Sequence, residues 1–126
     1  MRQHQNNKQN NYQVSIYDQL VLQLERWIAG GIYPPGALLP SVRLLSQQLG
    51  VNPNTLQKAY AELERRGYCF SVHGSGRFVS PDAAAALNAA RQEKLEKFYA
   101  YVHALKGSGI SADALHAGID QVFLGI

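Results

Sequence analysis

A short polar run in the middle of the chain brings two carboxamides, a hydroxyl and an amine together, groups that can hydrogen-bond to base edges and phosphates. The carboxamides of Asn54 and Gln57 can each form a paired hydrogen bond with N6 and N7 of adenine. Thr55 can contact a thymine methyl group or a phosphate, and Lys58, one turn further on, suits a phosphate. The alternative is that Asn52 merely caps a helix and that the other two amides are solvated surface groups.

Groups that could support catalysis or hold a metal ion are few and scattered. The four histidines, at positions 4, 73, 103 and 116, lack the spacing of a metal site. Cys69 and His73 are close in sequence, but such a pair is more often a coincidence, and Cys69 is explained as a strand residue. The glycine-rich run 73–76 lies between two strands, whereas phosphate-binding glycine loops join a strand to a helix. We therefore predict no enzyme, no metal and no cofactor.

The size and composition of the chain restrict the class of protein. With 126 residues, of which 46% are hydrophobic and 17% charged, it fits one domain, or a small domain with an appendage, and is neither disordered nor fibrous. No apolar run approaches the roughly 18 residues that cross a bilayer, and the start has no stretch typical of a signal peptide. The single cysteine leads us to expect a reducing, cytoplasmic location without a membrane partner.

The net charge of +3 is unevenly distributed. Residues 1–80 have eight basic and four acidic side chains, whereas residues 81–126 have four basic and five acidic ones. The 36 residues between Glu25 and Glu62 contain no acid but include three basic side chains. Such a stretch faces a polyanion without repulsion, and it is informative because the candidate binding residues lie inside it.

Hydrophobic periodicity predicts two helices before the polar run. The first extends from about Ser15 to Gly30 and carries one apolar stripe. The second begins at Ser41, whose hydroxyl can cap free N–H groups, and ends at Gly50. Its predicted buried side is formed by Leu44, Leu45 and Leu49.

A third helix and a hairpin follow. The helix begins at Asn52 and Pro53 and runs to about Arg66. Its predicted buried residues are Leu56, Ala59, Tyr60 and Leu63. Only three or four residues separate it from the second helix, which is the spacing of a helix–turn–helix. Alternating residues then predict strands over 68–72 and 77–79, and a hairpin directly after a helix–turn–helix is a wing.

Beyond residue 81 the sequence predicts two amphipathic helices, from about 82 to 106 and from Ser111 onwards. They are too short to bury their stripes alone, so the stripes must pack on the winged domain or on a second copy of the chain. We predict a homodimer, with the interface residues Leu87, Leu95, Phe98, Val102, Leu105, Leu115, Ile119 and Val122. The predicted fold is mainly α with a small β-hairpin. Its parts are a flexible arm (1–12), a winged helix–turn–helix domain (13–80) and a helical dimerisation region (81–126).

Five motifs follow one another along the chain: IYDQL at 16–20, YPPG at 33–36, LPSVRLLS at 39–46, GVNPNTL at 50–56, and the segment from GY at 67–68 to HGSGRFV at 73–79. Together they resemble the N-terminal winged helix–turn–helix of the GntR family of bacterial transcription regulators. The resemblance covers residues 14–80, about half of the chain. The short two-helix tail is similar to that of the YtrA subfamily, which is too small to be the usual effector-binding domain.

The resemblance implies roles for individual residues. Arg43, on the second helix, matches the family arginine that reaches the operator. Residues at the start of the third helix match positions that contact DNA in relatives: Asn52, Asn54, Thr55 and Gln57. His73 and Gly74 match the wing tip, which enters or borders the minor groove.

The sequence departs from the family pattern at three positions of the second and third helices. Many relatives have glutamate where Val42 stands, an arginine-bearing turn where Pro53 stands, and another arginine where Gln57 stands. The loss of two arginines weakens the expected phosphate and guanine contacts, so the preferred DNA sequence is not implied.

We therefore expect a sequence-specific DNA-binding transcription regulator, a repressor that acts as a homodimer on an inverted-repeat operator. Two-fold symmetry places the half-site centres about 10 base pairs, or a multiple of that distance, apart. The resemblance implies an operator in its own operon, which in the YtrA subfamily tends to encode ABC transporters. The alternative is a winged helix that serves as a protein-interaction module without sequence-specific DNA binding. The sequence does not identify an effector ligand.

Overall fold

The computed structural model describes residues 15–125, so the predicted arm at residues 1–12 lies outside the described residues. Within this range the chain forms five helices and one two-stranded antiparallel hairpin. In chain order they are α1 (Ile16–Ala29), α2 (Val42–Leu49), α3 (Pro53–Arg65), β1 (Cys69–Val72), β2 (Gly76–Val79), α4 (Ala83–Gly107) and α5 (Ala112–Leu124). The chain divides into two compact units, one ending at Asn88 and one beginning at Ala89. The predicted fold class, mainly helical with a small hairpin, is confirmed.

Polar side chains begin four of the helices at the predicted positions. The hydroxyl oxygens of Ser15, Ser41 and Ser111 each accept a 3.1 Å hydrogen bond from the N–H group three residues further on. Asn52 accepts one of 2.8 Å from the N–H group two residues further on. Each cap satisfies an N–H group that the helix itself leaves without a partner. Gly50 ends α2 with a φ of 66°, a conformation that side chains disfavour.

The core of the first unit is built on one stripe of α3. The four residues predicted to be buried there are each at most 1% exposed: Leu56, Ala59, Tyr60 and Leu63. The helix α1 packs against α3, and its Leu24 and Ile28 are fully buried in the same core. Burial of a leucine or isoleucine side chain stabilises a fold by about 1.5–3 kcal/mol, so this contact is a main source of stability.

The prediction of three buried leucines in α2 is wrong for two of them. Leu45 is buried, but Leu44 and Leu49 are 49% and 36% exposed, and Ser46 is buried instead. Because α2 has only eight residues, its contact with the core is narrow, and Leu44 lies about 100° around the helix from Leu45. Ser46 is tolerated in the core because its hydroxyl donates a 3.0 Å hydrogen bond to the carbonyl of Arg43.

The predicted wing is present, with one face on the core. The strands β1 and β2 pair with Cys69 opposite Val79 and Phe70 opposite Phe78. Cys69 and Val79 are buried, whereas the rings of Phe70 and Phe78 stack on the other face with their centroids 6.0 Å apart. Cys69 is therefore a wing-strand residue, as the sequence indicated, and the structure places it in the core.

The segment before α2 extends this hairpin, which the sequence did not indicate. The N–H group of Leu39 donates a 2.8 Å hydrogen bond to the carbonyl of Arg77, and that of Val79 donates one of 2.9 Å to Ala37. Leu38 forms a β-bridge with Phe78. The chain that leads into α2 therefore runs along β2, so the start of α2 is held by the wing.

The helix α4 begins inside the first unit. Ala83 and Leu87 are 1% and 5% exposed and belong to the same core as α1 and α3. Asn88 donates a long hydrogen bond, 3.5 Å, to the carbonyl of Ala29. The prediction that Leu87 forms a dimer interface is therefore corrected, because its own chain already covers this side chain. The compact unit extends to Asn88, eight residues beyond the predicted domain boundary.

The second unit, residues 89–125, contains the rest of α4 and all of α5. None of its described residues is buried. Val102, Leu105 and Leu115 are half-buried, whereas Val122 is 79% exposed. Two amphipathic helices of this length thus form no buried core of their own, in agreement with the argument from size.

An ion-pair network on the surface links α1 to the end of α3. Glu62 accepts hydrogen bonds from the guanidinium groups of Arg65 and Arg66, and these bonds lower the pKa of its carboxyl group from 4.5 to about 2. Arg66 also donates a 2.8 Å hydrogen bond to Glu25 on α1. The network favours ionised Glu62 in the folded state.

Replacing Glu62 with glutamine is expected to change the dependence of stability on pH. A carboxyl group with a lowered pKa stabilises the fold above its ordinary pKa of 4.5, and this contribution is lost as the pH falls towards 2. Glu62→Gln should therefore lower the melting temperature at neutral pH, and the difference from the wild type should shrink between about pH 4.5 and pH 3. Thermal unfolding followed by circular dichroism measures both values.

The control for this experiment is Glu93→Gln, because Glu93 pairs with Lys97 on a single exposed stretch of α4. This variant should melt within about 1 °C of the wild type at each pH, since exposed pairs of this kind contribute little. A constant difference between Glu62→Gln and the wild type across this pH range would contradict the assigned role of Glu62.

Candidate nucleic-acid interface

The candidate residues lie on three segments of the first unit: the start of α2, the start of α3 and the turn of the wing. Seven of the eight predicted residues are exposed, and Thr55 is half-buried. The exposed ones are Arg43, Asn52, Asn54, Gln57, Lys58, His73 and Gly74. All eight are therefore accessible to a partner from solution.

Asn52 and Pro53 define the start of α3. The side-chain oxygen of Asn52 accepts a 2.8 Å hydrogen bond from the N–H group of Asn54, so the alternative interpretation of Asn52 as a cap is confirmed. Pro53 occupies a position in the first turn where its missing N–H group leaves no helical bond unmade. The other N–H groups of this turn form the positive end of the helix dipole, which favours a phosphate.

Three further polar side chains in the first half of α3 are free to bind a partner. Asn54 and Lys58 lie one turn apart, opposite the buried stripe, and Gln57 lies beside them. The side chains of these three residues form no hydrogen bond or ion pair with any residue between 15 and 125. An amide pair and an amine that are not used internally can bind base edges and phosphates without breaking a bond in the fold.

The link between α2 and α3 is short and held by the main chain. Only residues 50–52 separate the two helices. The N–H group of Val51 donates a 3.0 Å hydrogen bond to the carbonyl of Ser46, and Val51 packs partly against the core. Arg43, in the first turn of α2, is exposed, and its guanidinium has no partner among the described residues. The connection confirms the predicted helix–turn–helix.

The tip of the wing is a tight turn that exposes His73. The N–H group of Ser75 donates a 3.0 Å hydrogen bond to the carbonyl of Val72, and Gly74 has a φ of 78°. A four-residue turn with positive φ at its third residue favours glycine there. The glycine-rich run is therefore a turn between strands, as predicted, and it presents the imidazole of His73 to solvent.

Acidic side chains of the first unit neutralise some of its arginines and leave others unpaired. Glu25 and Glu62 bind Arg66, and Glu62 also binds Arg65. The charges of these two arginines, at the end of α3, are therefore paired within the fold. In the described part of the acid-free stretch, the side chains of Arg43 and Lys58 are unpaired, and both lie on the candidate segments. The local charge excess therefore lies next to the candidate base-reading amides.

Residues 15–125 contain no group of three or more His, Cys, Asp or Glu side chains that could hold a metal ion. Burial raises the pKa of the Cys69 thiol to about 11, which keeps it protonated at neutral pH. No helix in the same range is both long and apolar enough to span a bilayer.

The sequence did not indicate that Arg77 faces inward. Its side chain is 21% exposed, and its guanidinium lies 5.4 Å from the centre of the Tyr60 ring. Residues two apart on a strand share a face, so the buried Val79 was the signal that Arg77 also faces the core side. Arg77 is thus distinct from the exposed cations Arg43 and Lys58.

Comparison with known proteins places the chain among transcription regulators. Residues 16–79 match the model of the family described as bacterial regulatory proteins, gntR family. The chain is similar to the HTH-type transcriptional repressor YtrA of Bacillus subtilis (strain 168), with 34% identity over 111 residues. This match covers 85% of the chain and 83% of the repressor.

Solved structures agree with the sequence match. A GntR family transcriptional regulator from Listeria monocytogenes aligns with a TM-score of 0.67 and 31% identity, covering 86% of this chain and 95% of that one. The AraR DNA-binding domain in complex with operator ORX1 aligns with a TM-score of 0.52 and 33% identity, covering 56% and 84% of the two chains. Because the family model and the first relative each cover half of the chain or more, the protein belongs to the GntR family of bacterial regulatory proteins.

Proposed function

We propose that the protein is a sequence-specific DNA-binding repressor that acts as a homodimer on an inverted-repeat operator. The observation that carries the proposal is the set of exposed polar side chains, unused within the described part of the fold, on α2 and α3. The names of two similar proteins support it, since one is a transcriptional repressor and the other is a DNA-binding domain bound to an operator. The regulated operon is proposed to be its own and to encode a transporter.

In the proposed complex α3 is the recognition helix. Its first turn approaches the major groove, where Asn54 and Gln57 bind base edges and Thr55 contacts a methyl group or a phosphate. Arg43 and Lys58 bind phosphates on either side of the reading amides. The wing tip, with His73, borders the adjacent minor groove.

Dimerisation is proposed to involve the second unit. Since residues 89–125 include no buried side chain, their apolar surface is available to a second copy of the same surface. The proposed interface does not include Leu87, which is buried in the first unit. Its residues are Leu95, Phe98, Val102, Leu105, Leu115, Ile119 and Val122. A symmetric pair would present two recognition helices to one face of the DNA.

The direct test is binding to the upstream region of the protein's own gene. Footprinting on this DNA should protect two half-sites related by two-fold symmetry, with centres about 10 base pairs or a multiple apart. A dimer that binds no DNA even at low salt would reject the proposal and favour a protein-interaction module.

Removal of the Asn54 carboxamide should reduce binding to the operator selectively. A lost bidentate base contact costs about 1–3 kcal/mol, so Asn54→Ala should weaken operator binding by this amount and binding to random DNA little. Titration by fluorescence anisotropy on both duplexes measures the difference. The matched control is Gln92→Ala, which removes an exposed amide from α4. Equal losses on both duplexes for Asn54→Ala would exclude base reading.

Removal of the Lys58 charge should act on all DNA sequences. Each neutralised phosphate contributes about 0.9 to the slope of log affinity against log salt, so Lys58→Ala should weaken both complexes and lower this slope by about one unit. Lys94→Ala removes an exposed amine from the second unit and should leave the slope unchanged. If the slope for Lys58→Ala equals that of the wild type, Lys58 does not contact a phosphate.

A charge in the apolar surface of α5 should prevent dimerisation. Val122 is 79% exposed in the single chain, so Val122→Asp should not disturb folding of the protomer, yet burial of its carboxylate in an interface would be costly. Sedimentation should show a monomer for this variant and a dimer for the wild type. Gln121→Asp adds the same charge at the neighbouring position and should remain dimeric. A dimeric Val122→Asp would exclude Val122 from the interface.

A further inference from the structure

The side chain of Arg77 lies between the wing and the recognition helix. Its guanidinium carbon is 5.4 Å from the centroid of the Tyr60 ring, within the range of a cation–π interaction. Its Nε atom is 3.5 Å from Oε1 of Glu64, within ion-pair distance, and this buried nitrogen forms no hydrogen bond of good geometry within the described residues. Arg77 therefore contacts two residues of α3 from its position on β2.

Tyr60 connects the same arginine to the start of α2. Its side chain is 1% exposed, and its hydroxyl donates a 2.7 Å hydrogen bond to the carbonyl of Pro40. Pro40 immediately precedes Ser41, the residue that caps α2. Burial raises the pKa of Tyr60, which keeps the hydroxyl protonated as the donor. The ring of Tyr60 therefore contacts Arg77 of the wing, and its hydroxyl binds the chain just before α2.

Two further hydrogen bonds involve Glu64 and the main chain of Arg77. The hydroxyl of Ser71 on β1 donates a 2.6 Å hydrogen bond to the same oxygen of Glu64 that faces Arg77. The carbonyl of Arg77 accepts a 2.8 Å hydrogen bond from the N–H group of Leu39. We refer to Tyr60, Glu64, Ser71 and Arg77 as the Arg77 cluster. It connects α3 to the strands of the wing and to the chain that leads into α2, so it links the three elements on which the candidate DNA contacts lie.

Arg77 differs from the proposed phosphate-binding residues in exposure and in partners. Arg43 and Lys58 are exposed, and their side chains are unpaired within the described residues, whereas the charge of Arg77 is directed at an aromatic ring and a carboxylate. A binding surface made of three segments discriminates between sequences only when the segments are held in one fixed arrangement. The Arg77 cluster supplies contacts that can hold them.

We propose that Arg77 is a positioning residue that fixes the wing and the start of α2 relative to α3, and that it does so without contacting DNA. This inference depends on the proposed DNA-binding function. It predicts that loss of the Arg77 side chain lowers discrimination between DNA sequences, whereas loss of a phosphate contact would lower all binding.

The test uses the full chain and two duplexes, one enriched from a random-sequence library by the wild-type protein and a shuffled version of it. Arg77→Met keeps most of the side-chain length but removes the charge. It should bind the enriched duplex about tenfold more weakly and the shuffled duplex within about twofold of the wild type, with an unchanged salt slope. Equal losses on both duplexes, with a slope lower by about one, would overturn the proposal, because they indicate a phosphate contact.

Glu64→Ala tests the same cluster with the opposite effect on charge. Removal of an acid from a DNA-binding unit strengthens binding to any DNA if only charge matters. The positioning role predicts instead that binding to the enriched duplex weakens while binding to the shuffled duplex stays equal or improves. Improved binding to both would contradict the proposal. Arg65→Met is the matched control, since it removes an arginine of α3 that lies outside the cluster, and its preference should equal that of the wild type.

Two further results distinguish a failure of the proposed DNA-binding function from a failure of the inference about Arg77. Wild-type protein that enriches no sequence would reject the proposed function together with this inference, whereas a selective wild type with an equally selective Arg77→Met rejects the inference alone. Should Arg77→Met fail to fold, Tyr60→Phe provides the decision, because it removes only the hydroxyl that binds Pro40. This variant should show the same selective loss on the enriched duplex, and a wild-type preference would refute the role of the cluster.

Discussion

Burial of one stripe of α3 is the constraint on which the rest of the first unit depends. Leu56 and Leu63 are fully buried against the core that α1 shares, so rotation of α3 about its axis would expose them. With this rotation fixed, Asn54 and Lys58 must face away from the core. The hydrophobic contact that stabilises the domain therefore also determines which side chains of α3 face solvent. These exposed side chains include the candidate DNA contacts Asn54 and Lys58.

Ion pairs within the first unit determine which of its basic side chains stay available to a partner. Glu62, near the end of α3, binds Arg65 and Arg66, and Glu64 faces Arg77, so these arginines are largely neutralised within the protein. Arg43 and Lys58 have no such partners within residues 15–125. The modest net charge of the chain thus understates the field at the candidate surface, because the ion pairs cancel charges elsewhere and the unpaired cations lie next to the candidate base-reading amides.

The sequence predicted those features that depend on local chemistry. Serine and asparagine caps, the glycine that ends α2 and the buried stripe of α3 follow from neighbouring residues, and each is found. The exposure of Leu44 and the burial of Leu87 depend on which other element covers the helix, and periodicity carries no such information. For the same reason the pairing of Leu39 with Arg77, 38 positions apart, was not visible. For the candidate site, the sequence named individual residues, whose contacts with DNA stay predictions, but it did not indicate the contacts that hold the elements together.

Because Cys69 is buried, the wing can be labelled selectively through a second cysteine introduced on its surface. The chain has a single cysteine, and this thiol is 2% exposed with a pKa of about 11, so it reacts slowly with maleimides at neutral pH. A cysteine introduced at the exposed tip, at Ser75, which is not among the candidate DNA contacts, would therefore be the preferred site for a fluorophore or a spin label in the otherwise native chain. The motion of the wing on and off DNA could then be followed in real time without replacing any core residue.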